Sequence, residues 1–540
     1  MAKKLFVTTS LPYANGDLHI GHLLEHVQAD IWVRYQRAVG NECVFVSGND
    51  AHGSAIMLSA QKQSLEPEQW LDKVAAKHKQ DIADFGINFD VFHTTRSVEN
   101  KALVYEMYET IKANDGFVTK SISQPYDVEK AMFLPDRFIK GECPKCGSKD
   151  QYGDNCEVCG ATYEPMDLIN PYSVLSNTKP ELRDSEHVFY RLSQMQENLH
   201  AWLHDVTLQD AVRNKLLEWF TQGLKDWDVS RDAPYFGFTI PGYDDKYFYV
   251  WLDAPVGYIA ALAYYDKIHN TQLVDAVWRD KQSPWEIHHF VGKDIMYFHG
   301  LFWPATLESA GFRAPDSLHV HGFLTVNGAK MSKSRGTFIT IREYLNALSP
   351  EYIRYYFACK LNNTVEDMDL NWEDCARRCN ADLVGKIINV GSRSCGFVHK
   401  YFDGCLGEVI DTDLFDTFVT SKSSIMQAYD TKSFARVVRE VTKLADLANQ
   451  YVDQHKPWQM AKDPEQLAKV HEVVTTSMHL FRLLVLYLGP ILPETQSKVA
   501  AIFHQDALSW ATLDQPLGRQ EITKFPRLLE RIQLADCPVS

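Results

Sequence analysis

Two stretches far apart in the chain carry residue types suited to phosphate chemistry: His19-Ile20-Gly21-His22 and Lys330-Met331-Ser332-Lys333-Ser334. The first follows an apolar run, Leu5 to Thr9, and a turn-rich loop, Leu11-Pro12-Tyr13-Ala14-Asn15-Gly16-Asp17. It opens a segment with apolar residues at Ile20, Leu23, Leu24, Val27 and Ile31. That spacing predicts a helix with Asp17 as its N-cap. A strand, a tight loop and a helix N-terminus form an anion site, because unpaired N–H groups and the helix dipole both favour negative charge. His19 and His22 share one helix face, where both imidazoles can donate to phosphate oxygens. Gly21 removes a side chain where a flat base could lie on the backbone. Taken alone, these residues also admit the reading of a helix start with two exposed histidines. The second stretch supplies positive charge. Lys330, Lys333 and Arg335 sit among Asn327-Gly328-Ala329, Ser332, Ser334 and Gly336, the composition of a flexible loop. Such lysines can close over a triphosphate and follow the charge onto departing pyrophosphate. By itself the stretch also reads as a solvated basic loop.

A third constellation is Cys143-Pro144-Lys145-Cys146, then nine residues, then Cys156-Glu157-Val158-Cys159. Two C-x-x-C knuckles can present four thiolates tetrahedrally to one zinc ion, and a closed shell of four cysteines makes the site structural. Redox pairs are the competing reading.

The elements that must position these groups follow from patterning. Residues 1–115 alternate strand and helix signals. Cys43-Val44-Phe45-Val46 reads as a strand ending in the polar loop Ser47-Gly48-Asn49-Asp50-Ala51-His52-Gly53, where ligands bind at the carboxyl edge of a parallel sheet. Asp50 there can hold a substrate ammonium, or serve as a solvated loop acid or cap. Helical patterning covers 67–84 and 97–113. From Gly116 to Trp227 regularity is lost, and His187 with its nearby acids reads as ordinary. Tyr247 to Leu252 reads as a strand leading to Asp253-Ala254-Pro255, and Glu286 to Val291 as another ending in Gly292-Lys293-Asp294. The next helix carries Ile295, His299 and Trp303 on one face, a stripe for core packing or for lining a pocket. His319 to Phe323 leads into the lysine loop. After Thr337 helical patterning dominates to the end, with Phe434, Val437, Val441, Leu444, Ala448 and Tyr451 as the clearest stripe. Lys386, Asn389 and Arg393 share one polar face, and Trp458 follows Pro457 at a helix end.

The expected fold class is α/β: a Rossmann-like, doubly wound parallel sheet split by a zinc-knuckle insertion, followed by an α-helical bundle. The expected divisions are a first catalytic half at 1–115, the insertion at 116–230, a second catalytic half at 231–330, a signature-loop region at 331–379 and the bundle at 380–540.

Composition narrows the class. Of 540 residues, 45% are hydrophobic and 23% charged, ordinary for a globular protein. The amino terminus has too short an apolar stretch for a signal peptide, and Leu480 to Leu492 is broken by Arg482, Gly489 and Pro490. A cytoplasmic protein without a membrane span is expected. A net charge of −15 argues against non-specific coating of nucleic acid and for a local basic track if RNA is bound. With no export signal, the 11 cysteines read as thiols and metal ligands.

The histidine and lysine motifs, in this order and separation, resemble the class I aminoacyl-tRNA synthetase signature pair. With the cysteine tetrad, Gly48 to Gly53, Tyr249 to Pro255 and Gly292-Lys293-Asp294-Ile295, essentially the whole chain resembles the methionyl-tRNA synthetase family, of the bacterial type with one zinc. The resemblance implies ATP-dependent activation of L-methionine to methionyl-adenylate and transfer to the terminal adenosine of methionine tRNA, initiator and elongator. It places the methionine ammonium near the Leu11 backbone and Asp50. The side chain falls in a pocket of Leu11, Tyr13, Trp251, Ala254, Pro255, Tyr258, Ile295, His299 and Trp303. ATP, with Mg2+, falls to His19, Gly21, His22, Gly292, Asp294, Lys330 and Lys333; the catalytic residues would be His19, His22, Lys330 and Lys333, with Lys333 foremost for the developing charge. Zinc falls to Cys143, Cys146, Cys156 and Cys159. The bundle would read the anticodon through Asn389, Arg393, Pro457 and Trp458. Many bacterial members continue into a further tRNA-binding domain that makes a dimer; this chain stops at Ser540, and a monomer is expected. The rival readings are a synthetase for another amino acid, a small-molecule nucleotidyltransferase and a non-catalytic RNA-binding relative.

Overall fold

The structure, a computed structural model, describes residues 2–135, 138–153, 156, 158–159, 161, 163–331 and 338–538. Leu5, Phe6 and Val7 are all fully buried, so the first apolar run is covered on both faces, as a central strand of a parallel sheet must be. This strand, β1 (Lys4–Thr9), pairs in parallel with β2 (Glu42–Asn49) on one side and with the strand Trp285–Gly292 on the other. β3 (Val91–Thr94) extends the sheet beyond β2, and Ser317–His321 extends it beyond Trp285–Gly292. The chain thus winds outward through β2 and β3, then returns to build the other half on the far side of β1. Between β1 and Trp285–Gly292 the order reverses, and a crevice opens there at the carboxyl ends of the strands. Ser10 to Tyr13 and Lys293 to Ile295 border it.

The helix after β1, α1 (Ile20–Ala38), buries Ile20, Leu23, Leu24, Val27 and Ile31 as the spacing requires. Its N-cap is His19 rather than Asp17, which instead pairs with Lys77 at 2.7 Å. Further helices follow at α2 (Ser54–Lys62), α3 (Pro67–Asp84) and α4 (Val98–Ala113). Two strand expectations are corrected. β2 runs on through Ser47, Gly48 and Asn49, because β3 pairs alongside them. The expected strand Tyr247–Leu252 stops at Phe248; Val250–Asp253 is a helical turn, and the strand Lys246–Phe248 belongs to a small two-stranded sheet.

The stretch from Gly116 to Trp227 is not irregular. β4 (Phe117–Asp127) and Glu181–Tyr190 pair antiparallel along nearly their whole length. Their mixed, charged sequences hide this, since much of the sheet faces solvent. Two helices, Gln196–Asp205 and Asp210–Thr221, then return to pack Leu203 and Leu216 against Val291, Leu301 and Leu318 at the parallel sheet.

In the carboxyl-terminal third, Phe434–His455 buries the predicted stripe against Leu467–Leu488, the most deeply buried helix of the bundle. The expectation of helix to the end fails after Ile502. Most of the tail is extended and runs back over the bundle's root, where Asn380 and Ile532 exchange two 2.8 Å hydrogen bonds. Buried Arg354 joins the bundle to α1: it donates to Asp30 at 2.7 Å and to the carbonyls of Pro490 and Ile491 at 3.0 and 2.8 Å. Among the described residues no helix is long and apolar enough to cross a membrane.

Candidate active site

The histidine motif caps its own helix. His19 Nδ1 accepts from the Gly21 amide at 3.1 Å, and His22 Nδ1 accepts from the His19 amide at 3.1 Å. A ring nitrogen that accepts carries no proton, so each neutral imidazole holds its hydrogen on Nε2 and offers a donor. Burial, and then the neighbouring His19, hold the His22 pKa well below the usual imidazole range. The two rings lie 3.9 Å apart. A Cβ at Gly21 would displace the end of the Met331 side chain and lie 2.8 Å from His19 Cε1, so the His19 ring would have to shift.

Both flanks of the lysine loop meet this helix. Met331 shares a cavity of about 410 Å³ with His19, Gly21 and His22. On the other flank, Ile20 N donates to Ile339 O and Ile341 N to Leu18 O, both at 3.0 Å. Lys330 closes the hairpin Leu324–Val326 to Ala329–Lys330 by its backbone, while Lys333 lies outside the described residues. The same cavity is bordered by Gly292 and Asp294 from the neighbouring strand end.

Glu25 and His321, which sequence reading passes over, complete it. Glu25 accepts from Ser10 N and Oγ at 2.6 and 2.5 Å and lies 3.2 Å from His321 Nε2. His321 Nδ1 donates to Gly322 O at 2.8 Å, so both ring nitrogens donate and the ring is an imidazolium. Burial opposes that charge, but the Glu25 hydrogen bond and carboxylate outweigh it and raise the His321 pKa. The available signal was Glu25 itself, an acid three residues after His22 on the buried side of α1.

A second cavity, of about 310 Å³, adjoins the first. It is lined by Leu11, Tyr13, Asp50, Trp251, Ala254, Pro255, Tyr258, Ile295 and His299, all expected there. Trp303, the tenth, does not line it: it is buried behind Tyr258, with ring centroids 6.4 Å apart. Trp251 stacks on Phe298 at 4.0 Å. His299 Nδ1 donates to Ile295 O at 3.0 Å, so its Nε2 accepts from Tyr258 Oη at 2.8 Å. Asp50 is the one lining acid with an orphaned oxygen: Oδ1 is buried and has no hydrogen-bond partner among the described residues. Burial, then the charge of Asp253, raise its pKa well above the usual carboxylate range. Asp253 is itself held by His52 at 2.7 Å. Ser10, Pro12, His22, Asp294 and Ile295 line both cavities.

The four cysteine sulfurs lie within 4.8 Å of one another. Cys143 and Cys159 are 3.7 Å apart, and Cys146 and Cys156 are 3.6 Å apart. Zn–S bonds of about 2.3 Å in a tetrahedron put sulfurs about 3.8 Å apart, so the set fits zinc. Amides of Cys146 and Cys159 point at Cys143 and Cys156 Sγ at 3.5 and 3.4 Å, which suits thiolates.

A sequence model of class I tRNA synthetases (M) matches residues 5–395, and one of the anticodon binding domain of methionyl tRNA ligase matches 405–523. The chain belongs to the class I methionyl-tRNA synthetase family. As a methionyl-tRNA synthetase it is an ATP-dependent ligase that activates methionine and charges tRNA. Among solved structures, Mycobacterium tuberculosis methionyl-tRNA synthetase in complex with methionyl-adenylate matches with a TM-score of 0.80 at 24% identity, covering 97% of this chain and 100% of that one. The apo form of the Mycobacterium tuberculosis enzyme gives 0.72 at 22%, covering 99% of each. At these identities the likeness establishes the synthetase fold.

Of the residues expected to read the anticodon, Arg393 and Trp458 meet in the helical carboxyl-terminal part of the chain. The helix Phe434–His455 ends on left-handed Lys456, after which Pro457 starts a new turn and Trp458 stands 36% exposed. The Arg393 guanidinium lies 5.0 Å from the Trp458 ring, and Asn389 is one turn earlier on the same helix. Lys386 is engaged with Asp446 at 2.9 Å.

Proposed function

We propose that L-methionine fills the smaller cavity and ATP the larger, and that methionyl-adenylate forms where they merge. The observation that carries this is their shared wall of Ser10, Pro12, His22, Asp294 and Ile295. A carboxylate entering from one side and an α-phosphate from the other meet at the Nε2–H of His22. Asp50 takes the ammonium, and its orphaned oxygen supports that role. His19 and His22 donate to phosphate oxygens, Gly21 lets the base approach, and Gly292 and Asp294 border the ribose. Attack of the methionine carboxylate on the α-phosphate displaces pyrophosphate. Catalysis is positioning plus electrostatic stabilisation, with Lys333 and then Lys330 following the developing charge. A ribose hydroxyl of the tRNA terminal adenosine then attacks the adenylate carbonyl and AMP leaves.

Mg2+ bound with ATP supplies countercharge to the phosphates. Zinc held by Cys143, Cys146, Cys156 and Cys159 supplies a cross-link within the insertion. Asn389, Arg393, Pro457 and Trp458 read the anticodon of initiator and elongator methionine tRNA, supported by the exposed indole beside a guanidinium. Amino-acid-dependent ATP–pyrophosphate exchange tests the reading, run with each amino acid on wild type and on Lys333→Ala. Exchange with methionine alone, lost in the variant, is expected. Exchange with another amino acid would overturn the cavity assignment.

A further inference from the structure

We infer that His289, which touches neither cavity, is a positioning residue that sets the shape of the thioether end of the methionine cavity. The inference rests on the cavity assignment above. His289 sits on the strand Trp285–Gly292 and is fully buried. Its Nε2 accepts from the Trp303 indole N–H at 3.2 Å. An accepting Nε2 leaves the proton on Nδ1, which donates to Thr8 Oγ1 at 2.5 Å. Both nitrogens are thereby committed and the tautomer is fixed. Burial also holds its pKa well below the imidazole range, so the ring stays neutral.

The ring is a support for the wall. It lies 4.8 Å from the Tyr258 ring and 6.0 Å from that of His299. Those two side chains face the cavity and are locked to each other through the Tyr258–His299 hydrogen bond. Trp303, tethered by His289, stands edge-on behind Tyr258 and is wedged against Trp278 at 6.0 Å. Losing the imidazole acceptor would orphan a buried indole N–H and let Trp303 turn. Tyr258 and His299 would then lose their backing, and the cavity would deepen at the end where the methyl group lies. Nothing in this network touches the ATP cavity, so the consequence falls on amino-acid selection.

The test is ATP–pyrophosphate exchange with methionine and with its S-ethyl homologue, on wild type, His289→Leu, His289→Gln, Trp303→Phe and the double variant His289→Leu/Trp303→Phe. His289→Leu keeps similar volume without an acceptor, and the orphaned donor should raise the methionine KM roughly 5- to 150-fold. The ATP KM should not move, and preference for methionine over the ethyl homologue should fall. His289→Gln, which restores an acceptor, should recover most of the loss. Trp303→Phe removes the donor, so adding His289→Leu to it should change little further. Equal loss for ATP and methionine, or full additivity of the two changes, would reduce His289 to an ordinary core residue. If His289→Leu does not fold, Trp303→Phe decides: unchanged selectivity overturns the inference and a loosened one supports it. Wild type without methionine-dependent exchange would sink the cavity assignment first, and this inference with it.

Discussion

Replacing Asp50 by asparagine removes one ionisable group, at nearly constant volume, from the cavity proposed above for methionine. One carboxylate oxygen is buried and unpartnered among the described residues, and burial and the charge of Asp253 raise the pKa. Deleting one partner of a buried ion pair costs about 3–5 kcal/mol. For a methionine ammonium that is a rise in KM of roughly 150- to 5,000-fold. The full effect belongs to pH above that raised value. Below the raised pKa of the empty site Asp50 is protonated, and the ammonium must displace that proton before the pair forms. Wild-type methionine KM should therefore fall as pH rises through Asp50's value and level off above it, while Asp50→Asn shows no such slope. The sign for stability is opposite. A carboxyl whose folded pKa is raised makes the fold lose stability as pH rises from the unfolded value to the folded one. At neutral pH the empty asparagine variant should melt higher than wild type. Pyrophosphate exchange across a pH series, at saturating ATP and then at saturating methionine, separates the two KM values; thermal scans give the midpoint. A methionine KM that stays put, or an ATP KM that rises equally, would refute an ammonium at Asp50.

Three further outcomes are expected. Gly21→Ala drives a methyl into Met331 and the His19 ring, so the imidazoles lose their cap geometry; kcat for exchange should drop about 10²- to 10³-fold, measured at saturating substrates. Trp458→Ala should lower kcat/KM for tRNA charging roughly 5- to 150-fold by removing a base-stacking surface, and leave methionine activation untouched. A parallel loss of exchange would count against an anticodon role. Chelation should release one zinc per chain and expose the four clustered thiols to a thiol reagent. It should also loosen the small core of Met132, Leu134, Phe138 and Ile139 from Leu58 of α2, read as protease cleavage within the insertion.

How legible the site was depends on how local each signal is. His19, Gly21, His22 and the cysteine knuckles act through neighbours a few residues away, and helix spacing or a C-x-x-C turn fixes their geometry before any tertiary contact forms. The same holds for the bundle stripe from Phe434 to Tyr451, which a period of 3.6 predicts and burial matches. Local signals failed where a distant strand supplied the pairing. β4 and Glu181–Tyr190 are stabilised by each other across more than fifty residues, so neither looks like a strand alone. Tyr249 to Leu252 looks like one, yet Val250–Asp253 turns as a helix.

What the sequence by itself determined is the local pattern: a histidine pair at a helix start, two C-x-x-C knuckles, and the helices whose apolar spacing burial matches. Only the tertiary structure decided which of those groups share a wall, that Asp17 is a surface ion pair while His19 caps the helix, and that Trp303 stands behind the cavity. It alone revealed Glu25 with His321, Asp253 with His52, and His289 between Thr8 and Trp303. The physical reason is range. A buried polar group must find its hydrogen-bond partner wherever the packing places one, and that partner's sequence position carries no local mark.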